Sequence, residues 1–191
     1  VDDARPIGLT GAIAGGKSTV LAMLRDLGLR TASSDAVARE VFLETAVQEA
    51  LERRLGVTGP VAPVALREAI LRDSGLRRWT NRLMHPLVGE RMRAIEADVI
   101  EVPLLFEACL QGRYREVWCV TCGPEERSRR LKARYGPDAD PAAYGRWQLD
   151  ERVKAALADV EIRTNVSKEA VFSAVRAEAA RCFPTRVAQP E

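Results

Sequence analysis

The chain has 191 residues, a net charge of +2, and apolar and charged fractions of 47% and 29%. That length suits one domain, or one domain with a sizeable insertion, and a core that needs neither disulfides nor a structural metal. The near-neutral balance excludes a general nucleic-acid binder. The absence of a signal peptide or a membrane-length apolar run points to a cytoplasmic setting.

Residues 5–10, "RPIGLT", read as a short buried strand. In 17–27 the apolar Val20, Leu21, Leu24 and Leu27 recur at helical spacing, and Gly28 is a natural stop. "LRTASSD" is expected to be a second strand ending at Asp35. From Ala36 to about Ala97 the pattern is largely helical, broken by a loop near "LGVTGPVAP". Residues 98–105 and 116–121 are continuous apolar runs, as in the central strands of a parallel sheet.

A helix is expected from Gly123-Pro124 to Tyr135, interrupted by "YGPDADP", with another ending near Leu157. "DVEIR" supplies a last strand and "SKEAVFSAVRAEAARC" a closing helix. Alternation of strands and helices implies an α/β sheet with right-handed crossovers. The helical stretch between strands two and three exceeds what a crossover needs, so it reads as an inserted subdomain. Cys119 and Cys122 form a lone C-x-x-C inside an apolar run and are read as buried strand cysteines without function.

Between the first strand and the first helix lies "GAIAGGKS", a complete G-x-x-x-x-G-K-[ST]. Small residues let successive backbone N–H groups turn inward as an anion nest, and the helix N-terminus adds donors and the positive end of its dipole. The segment Gly11, Ala12, Ile13, Ala14, Gly15, Gly16, Lys17, Ser18, Thr19 is therefore expected to hold a nucleoside triphosphate. Lys17 bridges the β- and γ-phosphates, and the Ser18 hydroxyl ligates Mg²⁺. The chain lacks N-K-x-D, so a small-molecule kinase fits better than a signalling GTPase.

Asp35 falls where ligands gather in parallel sheets and can orient an acceptor hydroxyl, though from spacing alone it is equally an N-cap. Arg39 follows one helical turn later. Arg127, Arg130 and Arg134 share a helical face and read either as a solvated face or as the cations of a lid. His85, the only histidine, reads alone as a structural hydrogen-bonder.

The ordered set "IGLTGAIAGGKSTV", "SSDAVAREV", "HPLV", "EVPLLFE", "RRLKAR" and "RWQLDERVKAALADV" resembles the dephospho-coenzyme A kinase family over about residues 7–182. The resemblance implies ATP- and Mg²⁺-dependent phosphorylation of the ribose 3′-hydroxyl of dephospho-coenzyme A. It implies a P-loop NTPase-like three-layer α/β fold with a mostly parallel five-stranded sheet. Residues 1–35 and 98–191 would form the core, with a lid at about 127–146, and 36–97 a helical substrate-binding insertion. Asp35 matches the family's acid at the 3′-hydroxyl, and Arg39 a substrate-holding arginine. Arg130 and Arg134 match the lid helix, Arg134 in a catalytic role; Arg146 and Asn165 join the nucleotide contacts. His85, through "HP", and Pro103, Leu104 and Glu107 join the acceptor site.

Three departures stand out. Glu101 replaces an aspartate expected to support Mg²⁺, "SSD" replaces "DAD", and "RTNVS" replaces an asparagine–glycine stretch near the adenine. Neither nucleic acid, membrane nor an obligate protein partner is expected. Two alternatives remain at this stage: another nucleoside, nucleotide or shikimate-type kinase, and an ATP-binding module without turnover.

Overall fold

A computed structural model describes residues 4–140 and 148–187; Arg146 lies outside them. Strands β1 (Ile7–Gly11), β2 (Thr31–Ser33), β3 (Val99–Glu101), β4 (Val117–Thr121) and β5 (Val160–Arg163) form one sheet. Their order is β2-β3-β1-β4-β5, and every pairing is parallel. Parallel pairing needs helical crossovers, and the carboxyl ends of the strands consequently share one edge.

The chain divides into two compact units, one running up to Ser33 and resuming at Glu96, the other spanning Ser34–Ile95. The first contains the sheet, α1 (Lys17–Asp26), α6 (Pro124–Tyr135), α7 (Glu151–Leu157) and α8 (Lys168–Cys182). Its core joins Ile7 and Leu9 of β1 and Trp118 and Val120 of β4 to Val20, Leu21 and Leu24 of α1 and Val171 and Val175 of α8. Alternate residues of the same strands face the opposite way. There a Cβ on Gly8 would lie 2.7 Å from Leu105 and 2.8 Å from Tyr114, so the glycine makes room for those side chains.

The Ser34–Ile95 unit holds α2 (Ser34–Leu43), α3 (Thr45–Leu55), α4 (Pro63–Arg72) and α5 (Ser74–Ala94) around its own core of Val37, Val41, Phe42, Val47, Leu51 and Leu66. The connection from α3 to α4 is pinned by Gln48, which donates to Phe42 O (2.7 Å) and accepts from Val61 N (2.8 Å). The Asp73 carboxylate caps α5 by accepting from Gly75 N and Leu76 N. Pro86 lies inside α5, which continues through it.

Two boundaries differ from expectation. The second strand ends at Ser33, and Asp35 lies in the first turn of α2. The third strand ends at Glu101 rather than Leu105: Val102 N still donates to Leu9 O (2.9 Å), but Pro103 has no N–H to carry the ladder further. The buried cysteines of β4 and its exit are apolar packing. Burial pushes the Cys119 thiol up to about 12 and that of Cys122 to about 11.

Ahead of β4, the Glu116 carboxylate accepts from both terminal nitrogens of Arg181 (2.8 and 2.6 Å) and from the Trp118 indole (3.1 Å). The Arg181 donors outweigh partial burial and hold the carboxyl at about 2, against an ordinary 4.5. A depressed carboxyl pKa gives stability that is present above the unfolded value and is lost as pH falls through the folded one. Glu116→Gln is therefore expected to lower Tm at neutral pH by about 2–4 °C, corresponding to roughly 1 kcal/mol. The difference from the parent should shrink as pH falls from 4.5 towards about 2. Thermal melts across that window check this, and a pH-independent difference contradicts it.

Candidate functional site

The loop between β1 and α1 takes the conformation that its glycines permit. Gly11 has φ 144°, and a Cβ there would collide with the Val120 carbonyl. Gly16 has φ 99° immediately before α1, a left-handed conformation favouring glycine. Lys17 opens α1, is 8% exposed, and donates through Nζ to Gly11 O (3.1 Å) and Ala12 O (3.0 Å). Its charge is thus curled back over the loop. Ser18 and Thr19, in the first turn, are exposed.

Two residues from the far side of the sequence secure this loop. The Thr164 hydroxyl lies 2.7 Å from Gly15 O, and the Ile13 N–H donates to Gln148 Oε1 (3.1 Å). Arg130 spends its guanidinium on Thr164 O (2.6 Å), Thr164 Oγ1 (3.0 Å), Ala14 O (3.4 Å) and Glu126 (2.7 Å). Donors from Arg129 and Arg130 hold Glu126 at about 2.

A cavity of about 330 Å³ opens at the loop, lined by Gly16, Ser18, Thr19, Arg130, Arg134, Thr164, Val166 and Lys168 among others. Arg134 is exposed, its guanidinium 5.2 Å from the Tyr135 ring centroid. Asn165 does not line this cavity. It lines a larger one of about 670 Å³ with Arg127, Asp150, Glu151, Arg152 and Arg163. The smaller cavity is the one built on the phosphate loop. In the larger one Glu161 is already paired with Arg163 (3.1 Å), and Asp150 caps Arg152 N.

Below the sheet's carboxyl edge, Glu101 ends β3 in register with Leu9 and Ser33. Pro103 and Glu107 are tied to Lys154, which is fully buried and donates to Pro103 O (2.6 Å) and Glu107 Oε1 (2.8 Å). Burial pushes the Glu107 carboxyl up, but Lys154 and the Leu149 N–H hold it below its ordinary range. Its other oxygen is buried without a hydrogen-bond partner among the described residues, and Leu104 is 42% exposed. In the Ser34–Ile95 unit, Asp35 and Arg39 are exposed one helical turn apart on α2, and His85 is exposed on α5.

Two positions that motif spacing passed over prove structurally central. Thr164 was hidden beside the expected Asn165, although a period-2 reading of β5 points alternate side chains inward. Glu151 is 8% exposed, and its carboxylate accepts from the successive amides of Cys122 (3.1 Å) and Gly123 (2.9 Å), at the entry to α6.

The donor chemistry suits a triphosphate with magnesium. The loop supplies a glycine cradle and a lysine. Ser18 and Glu101 carry hard oxygen atoms of the kind that suit Mg²⁺. No cluster of three or more His, Cys, Asp or Glu suited to a metal occurs among the described residues. Nor is any helix among them long and apolar enough to cross a membrane.

Residues 5–169 match the family model described as dephospho-CoA kinase. A dephospho-CoA kinase of Gloeobacter violaceus is 37% identical over 166 residues, covering 80% of this chain and 81% of that protein. A Thermus thermophilus crystal structure superposes with a TM-score of 0.79 at 31% identity, covering 93% of this chain and 98% of that one. For the dephospho-CoA kinase of Campylobacter jejuni the TM-score is 0.69 at 19% identity, covering 94% and 98%; it shows the fold.

Removing Lys154 strands the Glu107 carboxylate in its buried setting. Lys154→Ala is expected to destabilise the fold by about 3 kcal/mol, lowering Tm by about 6–12 °C. Adding Glu107→Gln should recover part of the loss. A thermal melt of Lys154→Ala within a degree of the parent contradicts the assignment.

Proposed function

The chain belongs to the dephospho-CoA kinase family, whose members use ATP to phosphorylate dephospho-coenzyme A, and from that premise we propose how its own residues divide the work. The observation that carries the reading is the folded phosphate loop, with Lys17 drawn over it by the Gly11 and Ala12 carbonyls. The backbone N–H groups of Gly16, Lys17 and Ser18, at the start of α1, and the Lys17 ammonium hold the β- and γ-phosphates. Because these groups are fixed before the reaction, their charge and dipoles stabilise the transferring phosphoryl group without reorganising.

Asp35 orients the ribose 3′-hydroxyl and takes its proton as the oxygen attacks the γ-phosphorus of ATP, whose bond to the β,γ-bridging oxygen breaks to release ADP. Its position on α2 leaves the carboxylate exposed, so it is accessible to an acceptor. Arg39 and His85 of the helical unit are assigned to substrate binding, as are Pro103, Leu104 and Glu107 after β3 in the sheet unit. Arg130 is a cation already held in place by Thr164 and Ala14, whereas Arg134, exposed on the same helix, supplies charge to the transferring group. Ser18 and Glu101 would hold Mg²⁺, which neutralises phosphate charge when bound. The four cysteines are free thiols, which fits a reducing cytoplasm.

If Asp35 is the base, Asp35→Asn lowers kcat by at least ~10²-fold while ATP binding is kept. Steady-state turnover with dephospho-coenzyme A, alongside a panel of shikimate and nucleoside acceptors, checks both parts. Near-parental turnover of the variant removes Asp35 from the chemistry, and faster turnover of another acceptor overturns the substrate assignment.

A further inference from the structure

We infer that Thr164 is a positioning residue for nucleotide binding: its hydroxyl holds the Gly15 carbonyl outward and so aims the Gly16 N–H into the phosphate cradle. The inference rests on the nucleotide reading of the loop. A planar trans peptide directs its carbonyl and the following N–H to opposite sides. Fixing the oxygen of the Gly15–Gly16 peptide therefore fixes the direction of its donor. Thr164 Oγ1 lies 2.7 Å from Gly15 O, 3.1 Å from Thr121 O and 3.0 Å from the Arg130 guanidinium. A hydroxyl has one proton, which goes to the nearer carbonyl, Gly15 O, and its lone pairs accept from Arg130.

Thr164 is itself held still. It is 6% exposed, its N–H donates to Thr121 O (2.7 Å), and its carbonyl accepts from Arg130 (2.6 Å). It thereby joins the end of β4, the helix carrying Arg130 and the phosphate loop in one node. The same node explains a letter of the motif. A Cβ on Gly16 would fall 2.9 Å from Thr164 Oγ1 and 3.2 Å from Thr164 Cβ, so the position is closed to any larger residue while Thr164 stands there.

Thr164→Val keeps the shape and removes the hydroxyl, leaving the Gly15 carbonyl without its donor and Arg130 without one acceptor. ATP binding is expected to weaken about tenfold by calorimetry, the penalty of one buried unsatisfied polar group. The KM for dephospho-coenzyme A should change less than about twofold, and Thr164→Ser, which keeps the hydroxyl, should bind ATP within about twofold of the parent. A general loss of packing would instead lower Tm and would not split the two substrates. If the valine variant gives no cooperative melt, Thr164→Ala takes its place against Thr164→Ser. Parental ATP affinity in the hydroxyl-less variant, or equal loss in the serine variant, overturns the inference while the nucleotide reading stands. Failure of the parent chain to bind ATP overturns both.

Discussion

The arrangement on which the rest depends is the capture of backbone carbonyls in the loop between β1 and α1. Lys17 takes those of Gly11 and Ala12, Arg130 that of Ala14, and Thr164 that of Gly15. Holding the Gly15 carbonyl on one side turns the Gly16 N–H of the same peptide to the other, and donors turned in this way make an anion nest. Besides Lys17 of α1, the partners come from α6 and from the exit of β5. The parallel sheet brings them there because β4 lies between β1 and β5, with all three strands running the same way.

A second short segment performs the same office for the neighbouring loops. Gln148 reaches Ile13, Glu151 reaches the amides of Cys122 and Gly123, and Lys154 reaches Pro103 and Glu107. Seven residues thus bind the phosphate loop, the entry to α6 and the turn after β3 to one another. Two of the three anchors are charged side chains with little or no exposure. Isolated charges so placed are costly, so their value lies in the exact partners they find.

What could be read from the sequence follows from how far each signal reaches. The phosphate loop is encoded within eight consecutive residues, apolar periodicity marked α1, and Gly123-Pro124 marked the start of α6. Strand edges were harder: Pro103 ends the β3 ladder within an unbroken apolar run, and Asp35 falls into a helix that starts at Ser34. The side chains holding the site together were largely invisible because their partners are remote. Thr164 meets Gly15 across 149 positions and Gln148 meets Ile13 across 135. At "RTNVS" the family likeness points to Asn165, yet the alternation of β5 carried past its end at Arg163 leaves Thr164 buried and Asn165 exposed.

The central claim is that this chain moves a phosphoryl group from ATP to the ribose 3′-hydroxyl of dephospho-coenzyme A. The most direct test incubates the chain with Mg²⁺-ATP, with and without dephospho-coenzyme A, and follows ADP while the product is mapped by mass and phosphorus NMR. The account predicts one ADP per acceptor consumed and a single added phosphate at the 3′ position. ATP bound tightly but released unchanged in the presence of acceptor, or phosphate added elsewhere, would contradict it.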